Sequence, residues 1–190
     1  MTAGNEIELG MDELREIARC AVACAAPAVA LFDRERPGDE RPRAAIDAAR
    51  EFAEGARRSK LIRDRAWAAQ RAYRETRDAG QAAASEAARA AVAAASAAYL
   101  HPLARATQVL HILGPAAHAA RAFELDAGDD HRIGDRYIER ATAFATPVVV
   151  SVLLRYPHAP SGGRRVGELV RELDAALRRS FENDCAAPGS

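Results

Sequence analysis

Residues 81–100 read QAAASEAARAAVAAASAAYL, and this run decides the fold. Alanine is the strongest helix former, and its one-methyl side chain lets a neighbouring helix approach closely. A pleated sheet draws instead on β-branched and aromatic residues, which cluster in this chain only around Pro147 to Leu154. Gly80 precedes the run as a helix stop, and Pro102 follows it as a break. The run shows no fixed repeat period, so it does not point to a solenoid.

Outward from this segment the same reading continues. From Met11 to about Arg34, Leu14, Ile17, Ala21, Cys24, Ala28 and Leu31 recur at three- and four-residue steps, one buried helical face that Pro27 should kink or split. Arg36-Pro37-Gly38-Asp39 is a turn, and Asp39 caps the next helix, from Glu40 to Ala53. Ser59 opens a third helix to Ala79. After the alanine run a fifth is expected from Pro102 to Ala127, with a bend at Gly114-Pro115, and a sixth from Asp129 or Asp130 to Tyr156. Arg164 to Glu182 closes as an amphipathic helix with Val166, Leu169, Val170, Leu173 and Leu177 on one side. The expected fold is all-α, a single alanine-rich bundle of about six to seven helices over residues 11–156. Residues 1–10 are expected to be frayed, 157–163 a linker, 164–182 a helix packed on the bundle and 183–190 a loose tail.

At 190 residues the chain suits one domain with a real core. Net charge is zero, so no whole-molecule field drives it toward nucleic acid or an anionic membrane. Nearly all the cations are arginine, with Lys60 the only lysine, and this reads as compositional bias rather than as selection for phosphate binding. The charge is uneven along the chain, however: residues 1–56 hold 12 acidic and seven basic side chains, and residues 57–80 hold eight basic and three acidic. Either the acidic first helices pack beside the basic third, or two patches of opposite sign stay open to a partner.

Cys20, Cys24 and Cys185 are an odd set. The first two, one helical turn apart, are awkwardly placed for a disulfide and read as buried thiols in a reducing compartment. Residues 20–30 imitate a signal-peptide core, but Glu6, Glu8, Asp12, Glu13 and Glu16 give the preceding segment the wrong charge for export. No run is long enough to span a bilayer. The expected location is the cytoplasm.

No residue pattern assigns a catalytic centre, cofactor site or metal site. His111 and His118 lie seven residues apart on one helical face, separated by about 10.5 Å along the axis, too far for easy joint ligation of one ion. With Trp67 and Tyr99 they are the candidate lining of a small-molecule pocket, where a histidine serves proton transfer or simply packs. Glu124, Asp126, Asp129, Asp130 and His131 surround Gly128 without the alternating spacing of a calcium loop, and helix capping explains them. Ser161-Gly162-Gly163-Arg164-Arg165 superficially resembles an anion cradle before a helix, and reads more simply as a flexible linker. The basic segment Arg57 to Arg77, carrying Trp67 and Tyr73, has the residue types for phosphate and base contact, but Asp64, Glu75 and Asp78 interrupt it.

The most distinctive segment is LFDRERPGDERPRAAIDAAREFAEG, residues 31–55. With Leu31, Phe32, Asp33, Pro37, Asp39, Arg41, Pro42, Arg43, Ala45, Ile46, Ala49 and Phe52 at matching places, it resembles the entry region of immunity proteins of bacterial polymorphic-toxin systems, in the group related to the fifth numbered immunity class. The similarity extends over roughly Met11 to Asp126. It implies a non-enzymatic helical protein whose partner is a cognate toxin, neutralised by stoichiometric binding. Asp33, Glu35, Asp39, Glu40, Arg41 and Arg43 then form part of the partner surface. Read without the family, Arg41 or Arg43 reaches back to Asp33 or Asp39 and locks the hairpin. Two other functions stay open: an enzyme or ligand-binding bundle using the pocket near His111 and His118, and a DNA-associated accessory protein.

Overall fold

The computed structural model describes the backbone of residues 6–186 and the side chains of residues 6–182. Among these residues there are nine α-helical segments and no strand beyond one isolated bridge. They are α1 Met11–Ala25, α2 Val29–Glu35, α3 Arg41–Ala53, α4 Lys60–Asp78, α5 Ala82–Ala97, α6 Val109–Asp126, α7 His131–Ala141, α8 Pro147–Leu154 and α9 Arg164–Ala186. Cys185 has no described side chain.

Helix α5 is the centre of the domain: α1, α2, α3, α4 and α6 all pack on it. Its alanines Ala84, Ala87, Ala88, Ala91, Ala94 and Ala95 have no exposed surface and form one face of the helix, which the equally buried Ala90 and Ala97 widen. Surrounding this alanine axle, Ile17, Phe32, Ile46, Phe52, Leu113 and Val109 supply the bulk of the core. Large residues on the outer helices against small ones on the central helix give the interdigitation a dense interior needs.

Pro27 lacks the N–H that would continue the ladder, and the first helix gives way at Ala26–Ala28 to a single 3₁₀ turn before α2 resumes. The Tyr137 hydroxyl donates to the Cys24 carbonyl beside that break at 2.6 Å. Burial holds this phenol well above its ordinary pKa. Pro115, by contrast, sits inside a continuous α6.

The structure departs from the sequence reading at three places. Helix α6 begins at Val109 instead of Pro102, because the backbone of residues 101–103 has partners elsewhere. Ile7 N–H donates to the Pro102 carbonyl at 2.9 Å, and Gln108 Oε1 accepts from His101 N–H at 3.0 Å. The same contact ties residues 6 and 7, part of the segment expected to be frayed, to residues 102 and 103, with Ile7 and Leu9 against the core; residues 1–5 lie outside the described residues. The long helix expected over 130–156 is two, α7 and α8. A 3₁₀ turn at Thr142–Phe144 ends the first, and Thr146 caps the second at Val149 N–H with Pro147 in its first turn.

Helix α9 docks Leu169, Val170, Leu173 and Leu177 on the body. Its Arg178, held by Asp174 at 2.8 Å, donates to the carbonyls of Leu153, Tyr156 and Pro157, acting as a C-terminal cap for α8 supplied from another helix. No single helix among the described residues is long and apolar enough to cross a membrane.

Candidate functional site

The turn between α2 and α3 is a closed charge network. Arg41 grips Asp39 through Nε and Nη2 at 2.8 and 2.6 Å, and reaches across to Glu75 of α4 at 2.9 and 2.5 Å. That guanidinium holds the Asp39 and Glu75 carboxyls below their ordinary values. Arg43 pairs with Asp33, and Glu35 accepts from Gln81 at 3.3 Å. Of the six turn residues, only Glu40 has a carboxylate without a partner among the described residues. The arrangement is the hairpin lock read from the residues themselves.

A groove of about 780 Å³ runs between α4, α5, α6 and the start of α9. His111 and His118 both line it, so the two imidazoles share one cavity. His118 Nδ1 lies 2.7 Å from Glu86 Oε2 of α5, which fixes the ring. Burial lowers the pKa of His111, and the charge of nearby Arg89 acts in the same direction. A carboxylate-oriented imidazole can move a proton. Ser85 and Ser96 of the groove donate to the Tyr73 and Val92 carbonyls.

A second cavity of about 480 Å³ adjoins the first, sharing Arg89, Ser96 and His111 with it. Trp67 and Tyr99 line this one, away from His118. The four residues expected in one pocket are therefore divided between two, with His111 at the junction. Sequence reasoning missed Glu86 and Arg89. A signal was present: Glu86, Arg89 and Ser96 are the polar residues on one stripe of the alanine run, at steps of three and seven.

The acidic cluster at the end of α6 is also spent on arginine. Asp130 caps α7, accepting from Arg132 N–H at 3.0 Å. Glu124, Asp129 and His131 bring ligand atoms within 4.8 Å of one another. However, Arg121 binds both Glu124 and Asp129 at 2.8 and 2.5 Å, and Arg165 from α9 binds Glu124 at 2.9 and 2.6 Å. Two guanidiniums fill the place a cation would take. Gly134 lets this happen, because a Cβ there would overlap the Glu124 carboxylate. Arg165, read as part of a flexible linker, is the strap that ties α9 to the body.

Helix α4 shows how the uneven charge resolves. It packs on α3 and α5. Among the described residues, the ion pair that joins the acidic 1–56 segment to the basic 57–80 segment is Arg41–Glu75, with its cation on the acidic side. The excess carboxylates of the first helices therefore do not neutralise the arginines of α4. Asp64 and Asp78 pair within the basic run, with Lys60 and Arg77, and Glu75 pairs outside it with Arg41, so the run's other arginines have no carboxylate among the described residues.

The fold is that of an alanine-rich all-α domain with paired charges at its turns and an open, cation-lined groove on one side. Residues 8–143 match the model of the family described as Imm-5 like putative immunity protein, and the chain belongs to that family. Helices α8 and α9 lie beyond the matched stretch. No curated protein and no solved structure matches the chain.

Proposed function

We propose that this protein neutralises a cognate bacterial toxin in the cytoplasm by stoichiometric protein–protein binding, without catalysis. The observation that carries the reading is the family match over residues 8–143. The buried thiols of Cys20 and Cys24 suit a reducing compartment. In the 33–43 turn Asp33 pairs with Arg43 and Asp39 with Arg41, so these four serve binding as a rigid edge, while Glu35, held only by the Gln81 amide, and Glu40 keep their charge for the partner. Co-expression with the product of the adjacent gene tests the proposal, read as survival and as a complex of fixed stoichiometry. Neither rescue nor binding would sink it.

One observation favours a second reading, a ligand-binding or proton-transfer pocket: His111 and His118 line one groove, and a carboxylate lies 2.7 Å from the latter. Under this reading Glu86→Gln and His118→Ala remove function while leaving toxin protection intact. Under the first they leave protection intact and there is no other activity to lose.

A further inference from the structure

Arg63, Trp67, Gln70 and Arg74 fall at steps of four, three and four on α4, so they share one face, and all four line the smaller cavity with Arg89 and Tyr99 of α5 and the turn that follows it. Trp67 is 62% exposed, the most exposed of the large hydrophobic side chains among the described residues. With Ala66, Val92 and Tyr99 it gives the concavity an apolar wall, so the ring is part of a recessed patch and does not stand alone on the surface. The cations beside it are positioned but not neutralised. The Arg63 guanidinium lies 5.6 Å from the Tyr99 ring centre, and Tyr99 is itself fixed by its hydroxyl on the Ser59 carbonyl at 2.7 Å. Half-buried Arg89 is held by Gln70 Oε1 at 2.9 Å and lies 5.8 Å from the Tyr73 ring centre. Arg74 has no partner among the described residues, and neither Arg63 nor Arg89 has a carboxylate. Neutral oxygens and π faces fix a guanidinium's place and leave its charge for a ligand.

We propose that this face is the docking surface for an acidic protein segment carrying an apolar side chain, whose carboxylates meet Arg63, Arg74 and Arg89 while the apolar side chain covers Trp67. The proposal deepens the toxin-binding reading and rests on it for the partner's identity. A protein segment fits better than a nucleic acid for two reasons. The molecule has no net charge to attract a polyanion from a distance. The unpaired cations are also gathered at one concavity with an aromatic anchor, the composition of an interface hot spot.

Trp67 is the only tryptophan, so its emission reads the groove directly. The whole protein is titrated with a short Asp/Glu-rich peptide bearing a central Phe, with its Lys-rich counterpart, and with a thymidine oligonucleotide. Saturable change with the acidic peptide alone, weakened at least about tenfold in Arg63→Glu/Arg74→Glu with unchanged helicity, supports the proposal. No response to the acidic peptide, or equal binding of the oligonucleotide, overturns it. In the co-expression assay Trp67→Ala and Arg63→Glu/Arg74→Glu should lose protection while Asp47→Ala/Arg50→Ala, at an exposed pair on α3 outside the groove lining, keeps it. Groove variants that protect as well as the parent overturn the docking surface and leave the toxin-binding reading standing. If the parent itself fails to protect, that reading falls, and the peptide titration alone decides the groove.

Discussion

The Glu124 carboxylate of α6 is fully buried and accepts both Nε and Nη2 of Arg165, a residue 41 positions away at the start of α9. A buried charge is tolerable only when paired and hydrogen-bonded, and this pair joins the family-matched body to the helix beyond it. Removing Glu124 leaves Arg165 on Asp135 and Glu168 and Arg121 on Asp129, so the loss is that of buried hydrogen bonds and not of a stranded charge. Glu124→Ala should cost about 1–3 kcal/mol, measured by urea unfolding. Gly134→Ala should destabilise through the same carboxylate, by about 1–3 kcal/mol. A loss within experimental error for both would mean that the pair is solvated in solution.

The turn pair behaves differently. Asp33 and Arg43 are 35% and 56% exposed, so water competes for both ends. Their coupling in a double-mutant cycle should be about 0.2–1 kcal/mol. Arg41, which serves two carboxylates at lower exposure, should show the larger loss on replacement by Ala. A turn pair as costly as Glu124 would contradict the geometry.

Acid sensitivity should begin at His111. Its folded pKa is lowered below the ordinary 6.5, chiefly by burial. The neutral ring is thus the favoured folded form. That contribution is intact above pH 6.5 and is lost as pH falls through the lowered value, because the unfolded chain takes up the proton first. Glu13, held down by its hydrogen bond from Arg155, adds a loss that sets in only below the ordinary 4.5. Stability measured against pH should therefore fall in two stages, and His111→Gln should flatten the first alone. An unchanged upper stage in that variant would assign it to another group.

Packing around α5 should penalise growth as well as loss. Ala91→Leu and Ala94→Leu push new methyl groups into faces already filled, at about 1–3 kcal/mol each. Leu113→Ala opens a cavity on the facing helix, at about 2–5 kcal/mol. Thermal unfolding of the three variants and the double Ala94→Leu/Leu113→Ala gives the comparison. Partial restoration in the double variant would indicate direct contact across the α5–α6 interface.

How much of this was legible in the sequence follows from the range of the interactions involved. The all-α class, the breaks at Pro27 and Gly80, and the Asp130 cap depend on residues within one turn of each other, so periodicity and end signals reveal them. The start of α6 does not, because the partners of residues 101–103 include Ile7 and Tyr156, far away along the chain. Arg165 looked like part of a linker for the same reason: nothing beside it announces Glu124. In the candidate site the two histidines were visible as a seven-residue spacing, and their sharing of a groove needed the placement of α4 and α9. Glu86 was hidden by the alanines around it. The free charge on α4 was the least legible feature, since the neighbouring acids look compensating until each is seen with another partner.

The central helix has a consequence for how such a protein diversifies. Because other helices sheathe α5 on so many sides, substitutions there disturb several neighbours at once, whereas the outer residues of α4 change without touching the axle. Substitutions can then accumulate on the rim while the hub stays fixed, so that the outer surface is free to change on an unaltered scaffold.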